Sequence, residues 1–129
     1  MIVVDASAIV EVLLNTPEGV QIRRRIFVDG QTIHVPHLAD LEVLHALRRL
    51  ERAGSLKPLR TVEVLEDYFD MSLHRYPHMI FCSRVWELRQ NWTPYDAAYI
   101  ALAEELGAPL LTRDRALADP GHRAKVFVV

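Results

Sequence analysis

Four acidic residues stand just after predicted strands or at the start of predicted helices, where carboxylates suit metal chemistry. Asp5 follows the first predicted strand directly, and Asp114 follows a later strand by two residues. Glu42 and Asp96 lie in the first turn or so of two predicted helices. Carboxylate oxygens are ligands for Mg²⁺ or Mn²⁺, which keep several waters and bind substrate phosphates. The set predicts phosphodiester hydrolysis, in which a metal ion lowers the pKa of the attacking water.

Each of these carboxylates also has a purely structural interpretation. Asp5 or Ser7 could cap the helix that begins after the first strand, because both residue types favour that position. The spacing Thr93-x-x-Asp96 has nearly the form of a capping box. The remaining two acids could be a solvated helix residue and a turn former. A single acid is therefore weak evidence, and the metal hypothesis depends on all four meeting in one place.

The elements that must position these acids follow from the apolar pattern. Predicted strands cover 2–4, 33–35, 109–112 and 126–129, and predicted helices cover 6–14, 17–29, 38–53, 59–71, 79–90 and 93–106, with a helical turn at 115–118. Short strands alternating with helices predict an α/β fold, with a central, mostly parallel sheet of four to five strands and helices on both faces. Ligands bind at the carboxyl ends of such strands. Asp5 and Asp114 are predicted to lie at that edge.

Length and composition limit the class of protein. The 129 residues fit one domain over 1–129, and 15 Lys and Arg against 17 Asp and Glu give a net charge of −2. That balance argues against a protein that binds nucleic acid through its overall positive charge. The single cysteine, Cys82, excludes an intrachain disulfide and suits a reducing compartment. With no signal-peptide pattern and no apolar run near the ~20 residues that span a bilayer, we expect a cytoplasmic protein.

Four short motifs surround the acids. They are Ile2-Val-Val-Asp5-Ala-Ser7-Ala-Ile, then Pro36 followed by Leu41-Glu42-Val43-Leu44, then Thr93-Pro94-Tyr95-Asp96-Ala97-Ala98-Tyr99-Ile100-Ala101-Leu102-Ala103, and Leu111-Thr112-Arg113-Asp114-Arg115-Ala116-Leu117. In this order and spacing, the chain resembles the PIN-domain ribonucleases, and most closely the VapC toxins of bacterial and archaeal toxin–antitoxin pairs. The resemblance covers essentially the whole chain.

The resemblance implies a site, an activity and partners. Asp5, Glu42, Asp96 and Asp114 would be the catalytic acids and would hold Mg²⁺ or Mn²⁺. Two hydroxyls, those of Ser7 and Thr112, would support the site by hydrogen bonding to ligands or to metal-bound water. The family cuts RNA to leave a 5′-phosphate and a 3′-hydroxyl. It typically works as a homodimer, as the toxin of a type II pair, and is neutralised by a small VapB-like antitoxin whose C-terminal segment lies across the active-site groove.

Basic and aromatic residues outside the motifs carry weaker signals. Arg113 and Arg115 bracket Asp114 and are candidates to hold RNA phosphates, with a solvated turn as an equal alternative. The run 23–25 is all arginine, but consecutive helix residues point in different directions, so it is not one patch. All six histidines are interpreted as non-ligands. The aromatic set predicts either core packing or a subunit interface, and comprises Tyr68, Phe69, Phe81 and Trp86.

Two other functions stay open from the sequence. A PIN-like fold could serve housekeeping RNA processing. A receiver-like phosphoacceptor module, from a different functional class, would share the length, the parallel sheet and acids at the strand ends. Against the receiver, Asp5 lacks an acidic neighbour, and the last strand lacks a lysine to contact a phosphoryl group.

Overall fold

Five short strands form the centre of the molecule, for which a computed structural model describes all 129 residues. The strands are β1 (Ile2–Val4), β2 (Ile33–Pro36), β3 (Leu73–Tyr76), β4 (Leu110–Thr112) and β5 (Val126–Val128). The helices are α1 (Ala6–Leu13), α2 (Pro17–Ile26), α3 (Leu38–Arg52), α4 (Pro58–Asp70), α5 (Cys82–Glu87) and α6 (Pro94–Leu106). Single 3₁₀ turns cover His78–Phe81 and Arg115–Ala118.

The five strands form one sheet in the order β3-β2-β1-β4-β5, and every neighbouring pair is parallel. The predicted α/β fold with a parallel sheet is confirmed. The strand order reverses between β1 and β4, because the chain adds β2 and β3 on one side of β1 and then β4 and β5 on the other. In open α/β sheets a crevice for ligands forms at this switch point. Asp5 follows β1 and Asp114 follows β4, so the fold places both acids there.

Two helices, α2 and the acid-bearing α6, begin where the sequence supplies caps. Thr16 and Thr93 accept hydrogen bonds from backbone amides in the first turns of α2 and α6, and a proline occupies the first helical position of each. α6 ends at Gly107, which has a φ of 59°, the left-handed conformation that glycine adopts without strain. These boundaries were readable from local chemistry alone.

The segment between α4 and α6 differs from the predicted elements at two places. The sequence predicts no element over 75–77, whereas 73–76 is the edge strand β3, paired in parallel with β2. The helix predicted over 79–90 is a 3₁₀ turn at His78–Phe81 followed by the short α5. β3 exposes both of its middle residues, His74 and Arg75, so its sequence has no apolar strand signature.

One contiguous core of 31 buried residues packs the helices on the sheet. β1 and β4 are buried along their whole length, as expected for inner strands of a parallel sheet. α2 packs closely on α1 at Gly19, where an added methyl group would overlap the carbonyl of Glu11. None of the helices combines the length and apolar character that crossing a bilayer requires.

Candidate active site

Asp5 is the most buried of the four acids, with 6 % of its surface exposed. It is also the N-cap of α1, since its Oδ1 accepts a hydrogen bond from the backbone amide of Ala8 at 3.0 Å. The hydroxyl of Ser7 donates to the same oxygen at 2.6 Å, and the hydroxyl of Thr112 donates to Oδ2. The capping interpretation of Asp5 is therefore correct, and it coexists with a position at the switch point of the sheet.

Two hydroxyl groups connect Asp5 to the chain that follows β4. The amide of Arg113 donates to Ser7 Oγ at 3.2 Å, and the amide of Asp114 donates to Thr112 Oγ1 at 2.9 Å. Each of these two hydroxyls in turn donates a hydrogen bond to the Asp5 carboxylate. The network fixes the backbone that carries Asp114 relative to Asp5, although the two residues are more than a hundred positions apart in the sequence.

Glu42 and Asp96 complete the acidic set from two different helices. Glu42 is half-buried on α3, and its Oε1 accepts a hydrogen bond from the hydroxyl of Tyr99 on α6 at 2.8 Å. Asp96 is half-buried in the first turn of α6, where its amide donates to Thr93 Oγ1 at 3.3 Å. Thr93 is thus the residue that caps α6. Its hydroxyl also lowers the pKa of the Asp96 carboxyl by a hydrogen bond, although burial and repulsion outweigh that effect.

The four acids are close enough to disfavour one another's ionisation. Burial raises the pKa of Asp5 above its usual range, outweighing the hydrogen bonds it accepts, and repulsion from Asp114 raises it further. Burial also raises the pKa of Glu42, to which Asp5 and Asp96 add repulsion, while the Tyr99 hydrogen bond opposes the rise. The pKa of Asp96 is raised by burial and by repulsion from Asp114 and Asp5. A positive charge bound near Asp5, Glu42 and Asp96 would favour their ionised forms.

The donor chemistry of this set fits a hard divalent cation bound largely through water. No three acidic, histidine or cysteine side chains are grouped tightly enough to hold one ion directly. Mg²⁺, however, keeps several waters and is usually bound by only one or two carboxylates together with substrate phosphates. The Oε2 atom of Glu42 and the Oδ2 atom of Asp114 accept no hydrogen bond from the protein, so each is free to accept one from a metal-bound water.

A groove of about 810 Å³ lies alongside the acids, between α1 and α3. Ser7 and Glu42 line its end, and the exposed side chains of Leu41 and Tyr95 stand at its rim. Eight of its 14 lining residues are hydrophobic. The groove therefore offers an apolar surface in direct continuity with the candidate site.

Thr112 provides a test of the hydroxyl network, because its side chain is completely buried. We expect Thr112→Val to destabilise the protein by about 2 kcal/mol, because the Asp5 carboxylate and the Asp114 amide each lose a buried partner. Thr112→Ser keeps the hydroxyl and is expected to cost about 1 kcal/mol or less, the contribution of one methyl group. Urea unfolding of both variants makes the comparison. Equal destabilisation would show that the hydroxyl contributes nothing.

Comparison with known proteins assigns the chain to a family. Residues 2–122 match the PIN domain family. The chain belongs to the PIN-domain family. Among curated relatives of this PIN domain, Ribonuclease VapC12 from Mycobacterium tuberculosis is 39% identical, over 100% of this chain and 99% of the relative. Ribonuclease VapC9 from the same species is 40% identical over 95% and 92% of the two chains. The chain is thus a member of the VapC ribonucleases within the PIN-domain family.

Solved structures agree with this assignment of the PIN domain. PAE2754 from Pyrobaculum aerophilum superposes with a TM-score of 0.58 at 25% identity, covering 90% of this chain and 82% of the other. VapC20 from Mycobacterium tuberculosis, described as a Sarcin-Ricin loop cleaving toxin, superposes with a TM-score of 0.65, over 95% and 97% of the two chains. Its identity is 13%, so it shows the common fold alone.

The two arginines that bracket Asp114 have different surroundings in this PIN domain. Arg113 lies 3.6 Å from Glu11 through its Nε atom, and its Nη1 donates to the backbone carbonyl of Val129. Arg115 is exposed in the 3₁₀ turn after Asp114. Arg113 is therefore held in place by the protein, whereas Arg115 extends into solvent.

Tyr99 of this PIN domain has a role in the site that its sequence position does not reveal. The residue lies within the third motif, and its place in an apolar helix favours simple core packing. It is 1% exposed, and its hydroxyl makes the one protein hydrogen bond that Glu42 accepts. A buried tyrosine three positions after a site acid was the available signal, because a buried phenol needs a polar partner.

Proposed function

We propose that this PIN domain is a metal-dependent endoribonuclease and the toxin of a type II, VapBC-like toxin–antitoxin pair. The observation that supports it is the grouping of four acids at the switch point of the sheet. Asp114 raises the pKa of Asp5, and Asp5 contributes to the raised pKa of both Glu42 and Asp96. We further propose that the whole chain, 1–129, acts as one domain, and that it works on RNA in the cytoplasm.

In the mechanism we propose, the four acids together provide the negative charge that holds Mg²⁺ or Mn²⁺. Asp5, Glu42, Asp96 and Asp114 would hold the ion, directly or through its waters. A bound divalent ion lowers the pKa of an attacking water and offsets the charge that develops on the phosphate. Ser7 and Thr112 keep both Asp5 oxygens oriented, and Tyr99 fixes one oxygen of Glu42. The chain's own task is therefore to hold the carboxylates in one geometry.

Arg113 and Arg115 are proposed to contact RNA phosphates beside the acids. Arg115 is the better placed of the two, because it is exposed and has no carboxylate partner. Arg113 would act from its fixed position against Glu11 and Val129. Positive charge next to an acidic site attracts the substrate that the acids alone would repel.

The proposed partners are a VapB-like antitoxin and a second copy of the chain. The apolar groove beside Glu42 suits an antitoxin segment that covers the acids. Exposed apolar side chains on α4, the first 3₁₀ turn and α5 are candidates for a homodimer interface, and they are Phe69, Met79, Ile80 and Trp86. Phe69 and Trp86 of the aromatic set are exposed, whereas Tyr68 and Phe81 belong to the core. Sedimentation of the protein alone, and with a VapB-like antitoxin, tests both assemblies.

The receiver-like alternative does not fit the sheet, because the flavodoxin-like order is 2-1-3-4-5 and this sheet has the order 3-2-1-4-5. The housekeeping alternative keeps the same chemistry and differs in biology. We expect induced expression of the chain to arrest growth and to fragment cellular RNA, and co-expression of its VapB-like antitoxin to reverse both. RNA fragmentation without growth arrest would favour housekeeping processing, and no fragmentation at all would contradict the nuclease.

A further inference from the structure

The edge strand β5 and the end of α2 bring two cations to one aromatic ring. The Arg25 guanidinium carbon lies 5.6 Å from the centroid of the Phe127 ring, and Lys125 Nζ lies 5.0 Å from the same centroid. Arg25 and Lys125 are both exposed, and neither appears among the ion pairs of the structure. The ring attracts each cation, but the two like charges repel one another and no carboxylate compensates them.

The other arginines of α2 do not share this position. Arg23 donates to the backbone carbonyl of Val12 on α1, and Arg24 is exposed without a recorded side-chain partner. The predicted divergence of the arginine run is thus observed for two of its members, since Arg23 turns to α1 and Arg25 turns to β5. Arg25 is the member of the run that joins a second positive charge.

The strand β5 leads from this pair of cations toward the acidic site. Alternate residues of a strand share a face, so Lys125, Phe127 and Val129 lie on one side of β5 and its extension. Arg113 donates to the Val129 carbonyl, and its own amide contacts Ser7 beside Asp5. From 125 to 129 the strand advances roughly 13 Å. We name this line of Arg25, Lys125, Phe127 and Arg113 the basic strip.

We propose that the basic strip binds the phosphate backbone of single-stranded RNA on one side of the bond that is cut. The inference rests on the proposed ribonuclease function. A chain with net charge −2 cannot hold RNA by its overall charge, so affinity must come from local cations that release counterions from phosphates. Both cations lie near the ring of Phe127, where they compete with a base for that ring. We therefore assign phosphate contacts, and not base stacking, to the strip. A purely structural role would instead use Arg25 only to pack α2 against β5.

The test measures RNA affinity by fluorescence anisotropy in an Asp5→Asn background, with a short 5′-labelled single-stranded RNA. One variant carries Arg25→Glu and Lys125→Glu. The matched control carries Arg24→Glu and Lys57→Glu, which makes the same change in charge at exposed residues outside the strip. A milder pair, Arg25→Gln with Lys125→Gln, covers the case in which the glutamates prevent folding, and thermal unfolding is recorded for every protein.

We expect the strip variant to raise the Kd for RNA about tenfold more than the control does, with both measured at the same salt concentration. The slope of log Kd against log salt, taken between about 50 and 200 mM, should fall by roughly 0.7 for each lost phosphate contact. Equal effects of the two pairs would mean bulk electrostatics and would overturn the strip. Lower thermal stability with unchanged RNA affinity would overturn it in favour of packing. RNA cleavage by the wild type is measured separately. If the wild type cleaves RNA but the strip variant binds RNA as the control does, the basic strip is refuted and the proposed ribonuclease function is not.

Discussion

Replacing Asp5 with asparagine is expected to reduce RNA cleavage by about two to three orders of magnitude, equivalent to roughly 3–4 kcal/mol of lost transition-state stabilisation. Asparagine has almost the same shape as aspartate, and its carbonyl can still accept hydrogen bonds from the Ala8 amide and the Ser7 hydroxyl. Its amide nitrogen can only donate, so the hydrogen bond with the Thr112 hydroxyl must reverse its direction. The main loss is the negative charge at the centre of the acidic set, so the loss of activity would report chiefly on charge.

The same substitution is expected to leave the metal-free protein as stable as the wild type, or more stable, at pH 7.5. The raised pKa of Asp5 means that its ionised form is less favourable in the folded state than in the unfolded chain. Removing that charge also removes repulsion with Asp114, Glu42 and Asp96. Thermal unfolding in EDTA measures this, alongside initial rates of cleavage in Mg²⁺.

Asp70→Asn is the matched control, because Asp70 is an exposed acid at the end of α4 and the change in net charge is identical. It should cleave RNA at the wild-type rate. An Asp5→Asn enzyme that retained full activity would remove Asp5 from the chemistry. An inactive Asp5→Asn protein with a much lower melting temperature would show instead that the Asp5 carboxylate acts mainly through the structural hydrogen bond with Thr112.

Removal of divalent ions is expected to abolish cleavage and to give the stability of the protein a distinctive pH dependence. Asp5, Glu42 and Asp96 all have raised pKa values in the folded state. Between the unfolded and the folded pKa of each group, the folded protein binds more protons than the unfolded chain. Its free energy of unfolding therefore falls as the pH rises through that window, and the loss is complete above the folded pKa values.

Binding of Mg²⁺ or Mn²⁺ should reverse this trend, because the ion stabilises the ionised carboxylates. At an ion concentration of about 100 times the Kd, the expected gain is about 2.7 kcal/mol at neutral pH. The gain should shrink as the pH falls, since protons then compete for the same oxygens. Melting curves from pH 5 to 8 with EDTA, Mg²⁺ or Mn²⁺ provide the measurement, with Asp5→Asn as the variant that should gain least.

Two results would contradict the metal hypothesis. Cleavage that persists in excess EDTA would exclude a required divalent ion. A pH dependence of stability that is the same in the metal-free wild type and in metal-free Asp5→Asn would show that the Asp5 carboxylate is not destabilised in the folded state. The second result is independent of activity, so it remains informative if the RNA substrate chosen for the assay is poor.

Several helix starts and the acidic motifs were available from the sequence because their causes are local. Thr16-Pro17 and Thr93-Pro94 specify helix starts within four residues of chain. In each pair the threonine hydroxyl caps a backbone amide, and the proline ring fixes a helical φ at the first helical position. The four acids could be picked out because each has a recognisable position relative to a strand or a helix start. β3 could not, since its two middle residues are exposed and its conformation comes from pairing with β2.

The sequence by itself predicted the α/β class and the four candidate acids, because strand and helix periodicity and short motifs act over a few neighbouring residues. Only the tertiary structure decided what those groups touch. The hydrogen bond from Tyr99 to Glu42 joins residues 57 positions apart, and the bond from Thr112 to Asp5 joins residues 107 positions apart. Arg25 and Lys125 likewise meet on Phe127 only because α2 lies against β5. Such contacts depend on the order of the strands, and that order is set by packing of the whole core and not by any local pattern.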